Sequence, residues 1–455
     1  MKTQGFSRLG QRIEAPPISW LMKLTLDNSR LVSLAAGFTD SESLPVRETR
    51  ELLGEILGSS RTGKGALQYG STAGDPTLRR LTAERLRKMD DEAGGGGRRL
   101  DDQSRVSDGY SPERVIITNG SQQLLYMATE ALCDEGDIVL VEDPTYFVYL
   151  SIAQSQGVRC RGIRMEGDGI EVADLERVLE GLKHTGELKR VRMLYLVSYH
   201  QNPTGATSSL RKKEAALRLL RRYERAAGHP IYVVEDAAYR ELRFAGDDVP
   251  SLLSAREAAA RVIYAGTYSK PFATGARVGF AVLPEPLLTV VMRIKGNHDF
   301  GTSNLLQQLL ARALSSCWYE RHLSAIRRRY ARKAAVMSRL IRRNLPRSAE
   351  WVQPSGGLYV WVRLPRSVNT GVNSKVFRSA LSHEVLYVPG QLCYAEDPSR
   401  RKPSHEMRLS FGGATEANIR DGLRRLGVTL RGTMPRSVLD DGRRNPRRGK
   451  VDLSS

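Results

Sequence analysis

In the stretch VIYAGTYSK, residues 262–270, an apolar run typical of a buried strand ends in two hydroxyl side chains, Thr267 and Ser269, and in Lys270. Arg277 follows seven residues after the lysine. A lysine amine can form a Schiff base with an aldehyde, while hydroxyls and a guanidinium can hold a phosphate. Most lysines in so basic a sequence are solvated surface residues, so the prediction of a pyridoxal phosphate site needs partners elsewhere.

Two further apolar runs end in polar residues in the same way. Residues 193–197 lead into Gln201-Asn202-Pro203-Thr204-Gly205, and residues 231–234 lead into Glu235-Asp236-Ala237-Ala238-Tyr239. Ligands of open parallel sheets bind at the carboxyl ends of the strands. We therefore expect the three polar clusters to converge on one ligand.

Strand-like and helical runs alternate between Val115 and Leu283, which predicts an α/β fold with a mostly parallel, doubly wound sheet. The predicted strands are 115–118, 138–141, 191–197, 231–234, 262–265 and 278–283. Helices are expected around 18–25 and from Pro76 through Met89. The predicted organisation is an N-terminal arm and short helix (1–45), a large cofactor-binding domain (46–303) with a glycine-rich surface insertion (90–111), a smaller C-terminal α/β domain (304–430) and a disordered basic tail (431–455).

The order of these motifs resembles that of class I and II aminotransferases of fold type I. The resemblance is carried by Asn202-Pro203-Thr204-Gly205, Asp236-x-x-Tyr239, the Ser269-Lys270 loop with Arg277, and Arg408. Residues 121–123, 201–205, 235–242 and 387–390 are most similar to the aminoadipate/kynurenine branch, and the match runs from about 18 to about 427. The resemblance implies a pyridoxal-phosphate-dependent transaminase that moves an amino group from an α-amino acid to a 2-oxo acid, such as 2-oxoglutarate, by a ping-pong mechanism.

The resemblance assigns catalytic roles to four side chains. Lys270 would carry the cofactor and then move the substrate's α-proton. Asp236 would face the pyridine nitrogen, so that the ring can accept charge. Asn202 and Tyr239 would donate hydrogen bonds to the phenolic oxygen of the cofactor. An aspartate after a strand is more often a cap, and Asn-Pro-Thr-Gly could be a plain turn, but the spacing of Asp236 and Tyr239 favours the cofactor role.

The phosphate is expected at the start of the helix that follows residues 115–118. Backbone N–H groups at a helix N-terminus favour an anion, and Ser121 and Gln122 lie there. Ser121 can also serve as a plain N-cap, and the two roles are compatible. Thr267, Ser269 and Arg277 would complete the phosphate site.

Four more residues match positions of the family. Tyr146 would stack on the pyridine ring, although a core tyrosine is the alternative. Arg408 would grip the substrate's α-carboxylate with its planar fork, beside Asn202, and Gly37 would let the N-terminal segment approach the substrate. Tyr69 resembles the tyrosine that reaches the phosphate of the neighbouring subunit, which implies a homodimer with shared active sites. His200 is expected to lie behind the site.

The short N-terminal helix predicts the substrate class. Aminoadipate-type relatives carry an arginine where this chain has Ser19, with Trp20, Leu21 and Met22 nearby. The sequence therefore favours aromatic or large apolar amino acids over aminoadipate. The alternatives are an aminoadipate-type transaminase, another pyridoxal phosphate chemistry (decarboxylation, elimination or oxidation) and an aminotransferase-like regulator. The regulator would need a separate DNA-binding domain of at least ~50 residues, for which the segment before Ile18 leaves no room.

The composition predicts a cytoplasmic protein, and the resemblance to aminotransferases implies a role in amino acid metabolism, including biosynthetic processes. The chain has 455 residues, 40% of them hydrophobic, and a net charge of +20. No apolar run approaches the ~20 residues of a membrane span, and residues 1–20 lack the apolar core of a signal peptide. The four cysteines are scattered without metal-ligand spacing, so reduced thiols and no metal are expected. Much of the positive charge is arginine on helical faces or in the tail, so neither a membrane nor a nucleic acid is an expected partner.

Overall fold

The computed structural model of the chain describes residues 5–94, 109–255 and 258–434. The helices are α1 (Arg8–Arg12), α2 (Pro17–Asp27), α3 (Val46–Leu57), α4 (Ser60–Leu67), α5 (Pro76–Ala93), α6 (Gly120–Leu132), α7 (Phe147–Ser155), α8 (Val172–His184), α9 (Leu210–Ala227), α10 (Leu287–Asp299), α11 (Asn304–Ser315), α12 (Trp318–Asn344), α13 (Lys375–Ser382) and α14 (Glu416–Thr433). The strands are β1 (Val32–Ser33), β2 (Val115–Thr118), β3 (Ile138–Asp143), β4 (Arg159–Glu166), β5 (Gly169–Ile170), β6 (Val191–Val197), β7 (Tyr232–Asp236), β8 (Val262–Thr267), β9 (Gly279–Val282), β10 (Glu350–Trp351), β11 (Tyr359–Arg363), β12 (Val385–Leu386), β13 (Val388–Pro389) and β14 (Glu406–Ser410).

An eight-stranded sheet forms the centre of the molecule, in the order β2-β9-β8-β7-β6-β3-β4-β5. Strands β8, β7, β6, β3 and β4 run parallel to their neighbours in this order. Strand β9 is antiparallel to both β2 and β8, and β5 is antiparallel to β4. The predicted α/β fold with a mostly parallel sheet is confirmed.

Both faces of this sheet are covered by helices. Along β2, Ile116 packs in one apolar cluster, whereas Val115 and Ile117 pack in another, because successive side chains of a strand point to opposite faces. Helices α6, α7 and α10 supply side chains to the first cluster, and α5, α8 and α9 supply side chains to the second. Burial on both faces explains why the central strands read as continuous apolar runs.

A second, four-stranded antiparallel sheet has the order β10-β11-β14-β13. Helices α12 and α14 pack against each other, and α13 packs against α14. Near the other end of the chain, β1 pairs in parallel with β12, which fixes the N-terminal segment beside the C-terminal part of the chain. The domain limits at 45, 303 and 430 stay predictions. Of the predicted insertion and tail, 95–108 and 435–455 lie outside the described residues.

The predicted strands are found with bounds shifted by at most two residues, and two larger differences from the sequence-based expectation remain. Helix α5 continues to Ala93 instead of ending at Met89, because Asp90 is buried and accepts hydrogen bonds from Arg240 and from the backbone of Ser251. Strand β4 is not among the predicted strands, because its arginines interrupt the apolar pattern. Within the described ranges, no helix combines the length and the apolar composition that a membrane crossing requires.

Candidate active site

A cavity of about 330 Å³ lies where β6, β7 and β8 end. These strands run in parallel, so their carboxyl ends meet at one edge of the sheet. The cavity lining brings together all the predicted site residues except Tyr69: Gly37, Ser121, Gln122, Tyr146, Asn202, Asp236, Tyr239, Thr267, Ser269, Lys270, Arg277 and Arg408.

Lys270 lies three residues beyond the end of β8. Its Nζ donates a hydrogen bond to the Gly37 carbonyl oxygen at 3.1 Å and lies 5.9 Å from the ring centre of Tyr239. Burial lowers the pKa of Lys270 to about 8, and the charges of Arg277 and Arg408 act in the same direction. A neutral amine, which is the nucleophilic and basic form of lysine, is therefore accessible near neutral pH.

Asp236 is the last residue of β7. Its Oδ2 accepts a hydrogen bond from the Tyr195 hydroxyl at 2.8 Å, and its Oδ1 accepts one from the Ala238 N–H at 3.1 Å. Burial raises the pKa of Asp236 to about 6, while these two hydrogen bonds and the charge of Lys270 oppose the rise. The group is mostly ionised at pH 7, and a buried carboxylate is suited to a cationic ligand atom.

Arg408, on β14, is 1% exposed and held by two acceptors. One Nη donates to Asn202 Oδ1 at 2.7 Å and the other to the Ala35 carbonyl oxygen at 2.6 Å. The guanidinium lies 4.2 Å from the ring centre of Tyr359, and its buried Nε has no hydrogen-bond partner. A planar fork fixed in this way, with donors to spare, is suited to a carboxylate.

Tyr239 and Tyr359 form a hydroxyl pair in the cavity wall, with 3.0 Å between their oxygens. Their rings meet edge to face, with centres 5.6 Å apart. Burial raises the pKa of Tyr239, so its hydroxyl keeps its proton and can donate a hydrogen bond.

The start of α6 forms a cradle for an anion. Gly120 has a φ of +70°, which favours glycine, and a Cβ on it would lie 2.6 Å from an Arg277 Nη, so the guanidinium covers the helix start at close range. Arg277 also lies 3.5 Å from the Ser269 hydroxyl, and the Ser269 N–H donates to Thr267 Oγ1 at 3.1 Å. Helix N–H groups, hydroxyls and an arginine are the donor set that a phosphate requires.

The donor set of the whole cavity fits pyridoxal phosphate. The anion cradle suits its phosphate, Lys270 suits its aldehyde, and the buried Asp236 suits a protonated ring nitrogen. Tyr146 borders the same cavity, and its hydroxyl keeps its proton because burial raises its pKa.

Of the three N-terminal helix residues that the sequence predicted near the substrate, Met22 lines the cavity, whereas Trp20 and Leu21 do not. Ile18 and Met22 line the cavity because an i, i+4 pair shares one face of a helix. Trp20 packs instead against Phe377, with ring centres 5.8 Å apart, and Leu21 is buried in the core. Ser19 is exposed and is not part of the cavity lining, so the backbone position that carries an arginine in aminoadipate-type relatives faces away from the cavity here.

Two tyrosines that contact residues of the site, Tyr195 and Tyr359, were not predicted from the sequence. Tyr195 and Tyr359 contact Asp236 and Arg408, but each belongs to an apolar strand run that looks like core. His200 packs against Gly356 outside the cavity lining, and burial lowers its pKa to about 4, which fits the expected place behind the site.

Tyr69 is not in the cavity lining of its own chain. The side chain is 82% exposed and meets Phe300 edge to face, with ring centres 5.5 Å apart. Phe300 is itself 54% exposed. The two rings form an aromatic surface beside the start of α11.

Comparison with known proteins places this cavity in context. A family model described as aminotransferase class I and II matches residues 29–426. The chain is 33% identical over 434 residues to 2-aminoadipate transaminase from Thermus thermophilus, covering 95% of this chain and 98% of that protein. It is 29% identical over 429 residues to aromatic-amino-acid aminotransferase 1 from Thermococcus litoralis, covering 94% of each. The structure of Pyrococcus horikoshii kynurenine aminotransferase, solved with PMP, KYN and KYA, is 30% identical and has a TM-score of 0.81, covering 95% of this chain and 98% of that chain.

Proposed function

Because the chain belongs to the class I and II aminotransferases and is a pyridoxal-phosphate-dependent transaminase, we propose that its amino donor is an aromatic or large apolar α-amino acid. The acceptor is a 2-oxo acid such as 2-oxoglutarate, and the two substrates react in turn by a ping-pong mechanism. The observation that carries the choice of donor is the apolar face of α2, where Ile18 and Met22 border the cavity.

The cavity residues divide between holding the cofactor and holding the substrate. Lys270 would carry the cofactor, Asp236 would pair with its ring nitrogen, Asn202 and Tyr239 would donate to its phenolic oxygen, and Tyr146 would pack on its ring. The phosphate would be held by Ser121, Gln122, Thr267, Ser269 and Arg277. When bound, pyridoxal phosphate supplies a ring that accepts the charge left at the substrate's α-carbon.

Lys270 removes and returns the α-proton. Burial lowers its pKa to about 8, which brings the neutral amine within reach at slightly alkaline pH, and a general base is most effective when its pKa is close to the working pH. Arg408 orients the substrate by holding its α-carboxylate. Asn202 braces that guanidinium through its Oδ1 and thereby limits the positions that the substrate can take.

The charges in the cavity lining support an uncharged substrate side chain. Among the described lining residues, the cations are Lys270, Arg277 and Arg408, and each already has a role in this scheme. A side-chain carboxylate, as in aminoadipate, would meet Ile18 or Met22 and lose hydration without gaining a partner.

The test is the absorbance spectrum of the purified protein during addition of single amino acids, with Lys270→Ala beside it. We expect phenylalanine or leucine to remove the visible cofactor band, 2-oxoglutarate to restore it, and the variant to lack the response. Strong selectivity for aminoadipate would refute the proposed donor class. A bound cofactor that no amino acid converts would refute the proposed half-reaction.

A gain of function tests the role of α2 directly. Met22→Arg places a cation on the cavity face, and Lys23→Arg places the same side chain on the exposed neighbouring position. We expect Met22→Arg to raise kcat/KM for aminoadipate relative to leucine at least about tenfold, because the charge gains a partner. Lys23→Arg should leave the ratio unchanged. Equal ratios in both variants would contradict the assignment of this face to the substrate side chain.

We also propose that the active unit is a homodimer in which Tyr69 reaches the phosphate site of the partner subunit. Its exposure and its absence from the lining of its own cavity support this arrangement. Mixing refolded Lys270→Ala and Tyr69→Ala chains tests it. If Tyr69 acts on the neighbouring site, each mixed dimer has one intact site, and about a quarter of the wild-type activity returns. No recovery, or a monomer by analytical ultracentrifugation, would exclude it.

A further inference from the structure

Tyr195 lies in the middle of the central sheet and points its hydroxyl at Asp236. It is 0% exposed, on β6, directly beside β7, whose last residue is Asp236. The 2.8 Å hydrogen bond to Asp236 Oδ2 joins two groups that are both buried. Burial and the nearby carboxylate raise the pKa of Tyr195, so the hydroxyl keeps its proton and acts as the donor.

The ring of Tyr195 is held in one orientation. It stacks on the ring of Tyr149 from α7, with centres 4.0 Å apart and an angle of 20° between the planes. The Tyr149 hydroxyl is directed elsewhere, 3.2 Å from Thr129 Oγ1. The stack therefore fixes the direction in which Tyr195 donates, while Tyr149 itself does not contact Asp236.

The groups around Asp236 act on its charge in opposite directions. Tyr195 and the Ala238 N–H each bond one carboxylate oxygen, and Lys270 supplies a positive charge. On the other side, the ionised forms of Glu142 and Tyr146 would repel it. Burial alone disfavours the carboxylate, so the Tyr195 hydrogen bond stabilises the ionised form.

We propose that Tyr195 is a positioning residue for amino transfer, whose hydroxyl holds the Asp236 carboxylate ionised and aimed at the ring nitrogen of pyridoxal phosphate. The inference rests on the proposed role of Asp236. It goes beyond that role because Tyr195 does not line the cavity: from the neighbouring strand β6, it would stabilise the charge of Asp236 and so act indirectly on the cofactor ring.

The chain offers a matched pair of variants. Tyr195→Phe removes one buried hydroxyl that contacts Asp236, and Tyr149→Phe removes one buried hydroxyl from the same ring stack that does not. The dissociation constant of pyridoxal phosphate is measured for each apoprotein by fluorescence titration. We expect about tenfold to hundredfold weaker binding for Tyr195→Phe and little change for Tyr149→Phe, because hydrogen bonds to charged groups contribute most.

The pH dependence gives a second readout. Without the Tyr195 donor the pKa of Asp236 rises, so the acidic limb of the kcat/KM profile moves to higher pH in Tyr195→Phe and stays in place in Tyr149→Phe. Losses in kcat should exceed changes in KM, since Arg408, not Asp236, holds the substrate carboxylate in this scheme.

Three results would overturn the inference. One is wild-type cofactor affinity and pH profile in Tyr195→Phe. Another is an equal loss of affinity, together with an equal fall in apoprotein melting temperature, in both tyrosine variants, which is the result of a packing role. The third is unchanged cofactor affinity in Asp236→Asn, which would also remove the proposed role of Asp236. If Asp236→Asn weakens binding while Tyr195→Phe does not, the role of Asp236 stands and that of Tyr195 falls.

Discussion

Glu142, a single residue near the end of β3, joins two loops that border the cavity. It is 0% exposed, and its Oε2 accepts hydrogen bonds from the Val197 N–H at 2.9 Å and from the Gln201 side chain at 2.7 Å. Gln201 in turn donates to the Pro144 carbonyl oxygen at 2.9 Å. The segment that carries Tyr146 is thereby tied to the turn that carries Asn202. The Glu142 Oε1 is buried without a partner.

This carboxyl makes the stability of the fold depend on pH. Burial raises the pKa of Glu142 from 4.5 to about 8, so the folded state holds its proton more tightly than the unfolded state. The contribution to stability is complete below pH ~4.5 and is lost as pH rises through about 8. We expect the free energy of unfolding of Glu142→Gln to fall less between pH 5 and pH 8 than that of the wild type, in chemical denaturation.

The control is Glu14→Gln, which neutralises an exposed carboxyl. The amide oxygen of a glutamine at 142 can accept both hydrogen bonds, but its NH2 group would be buried where Glu142 Oε1 has no partner. This burial lowers stability at every pH, so the readout is the slope of stability against pH and not its absolute value. If the free energy of unfolding changes equally with pH in the wild type and in Glu142→Gln, this carboxyl does not titrate between pH 5 and pH 8.

At the same scale, the sequence predicted which loop residues gather at the cavity better than which strand residues support them. Lys270, Asp236 and Asn202 stand out because polar residues follow apolar runs. Tyr195 does not stand out, because the sequence of a strand does not show whether a tyrosine hydroxyl bonds a core residue or a residue of the active site. Tyr359 was not predicted for a different reason. Its position beside Arg408 depends on the pairing of β11 with β14 in the second sheet, and these strands are more than 40 residues apart in the sequence.

At the scale of elements, the contact between β9 and α6 sets the shape of the anion cradle. A Cβ on Gly279 would lie 2.5 Å from the Gly120 carbonyl carbon and 2.6 Å from the Ser121 nitrogen. Real Cβ atoms do not approach backbone so closely, and neither partner is a flexible side-chain end. The first turn of α6 can sit this close to the sheet because position 279 has no side chain.

Gly279→Ala should therefore displace the start of α6 and loosen the phosphate site. We expect a reduced melting temperature and a pyridoxal phosphate dissociation constant raised at least about tenfold, measured by equilibrium dialysis. Gly275→Ala is the control, because a Cβ there would meet nothing within 4 Å. If Gly279→Ala retains the cofactor as well as Gly275→Ala does, the close approach does not govern the phosphate site.

The predicted strands of the central sheet were found with shifts of at most a few residues, whereas β4 was missed. Strands buried on both faces give continuous apolar runs, which are easily recognised. Strand β4 alternates arginines with buried residues, and its arginines find partners outside the strand, such as Glu187 for Arg159. Ion pairs between residues far apart in the sequence cannot be recognised from the hydrophobic pattern of a short segment.

At the scale of the whole molecule, an ion-pair network around Asp90 joins segments that are distant in sequence. Asp90 Oδ1 accepts from Arg240 at 2.6 Å and from the Ser251 N–H at 2.7 Å, and Oδ2 accepts from the Tyr110 hydroxyl at 2.5 Å. Arg240 also pairs with Asp248 at 3.1 Å. The network links the end of α5, the segment that precedes β2 and the loop between β7 and β8.

Removal of the central charge should destabilise the fold. We expect Asp90→Asn to lower the free energy of unfolding by roughly 3 kcal/mol, because it leaves the buried Arg240 with one carboxylate instead of two. Asp91→Asn, at the exposed neighbouring position, should cost little. Urea unfolding of the two variants measures the difference. Equal midpoints would mean that the network does not contribute to stability.

The pairing of β1 with β12 has a consequence for the order of synthesis. The ribosome releases residues 32–37 early, yet Val32 and Leu34 bond to Glu384 and Leu386, and Ser410 bonds back to Leu34. Until residues 384–410 emerge, the carbonyl groups of Ala35 and Gly37 have no fixed place, although every strand of the eight-stranded sheet has already been synthesised. Residues 32–37 are thus synthesised long before their hydrogen-bond partners and are ordered only with them, so a nascent chain cannot close the cavity around Lys270 before residues 384–410 have emerged.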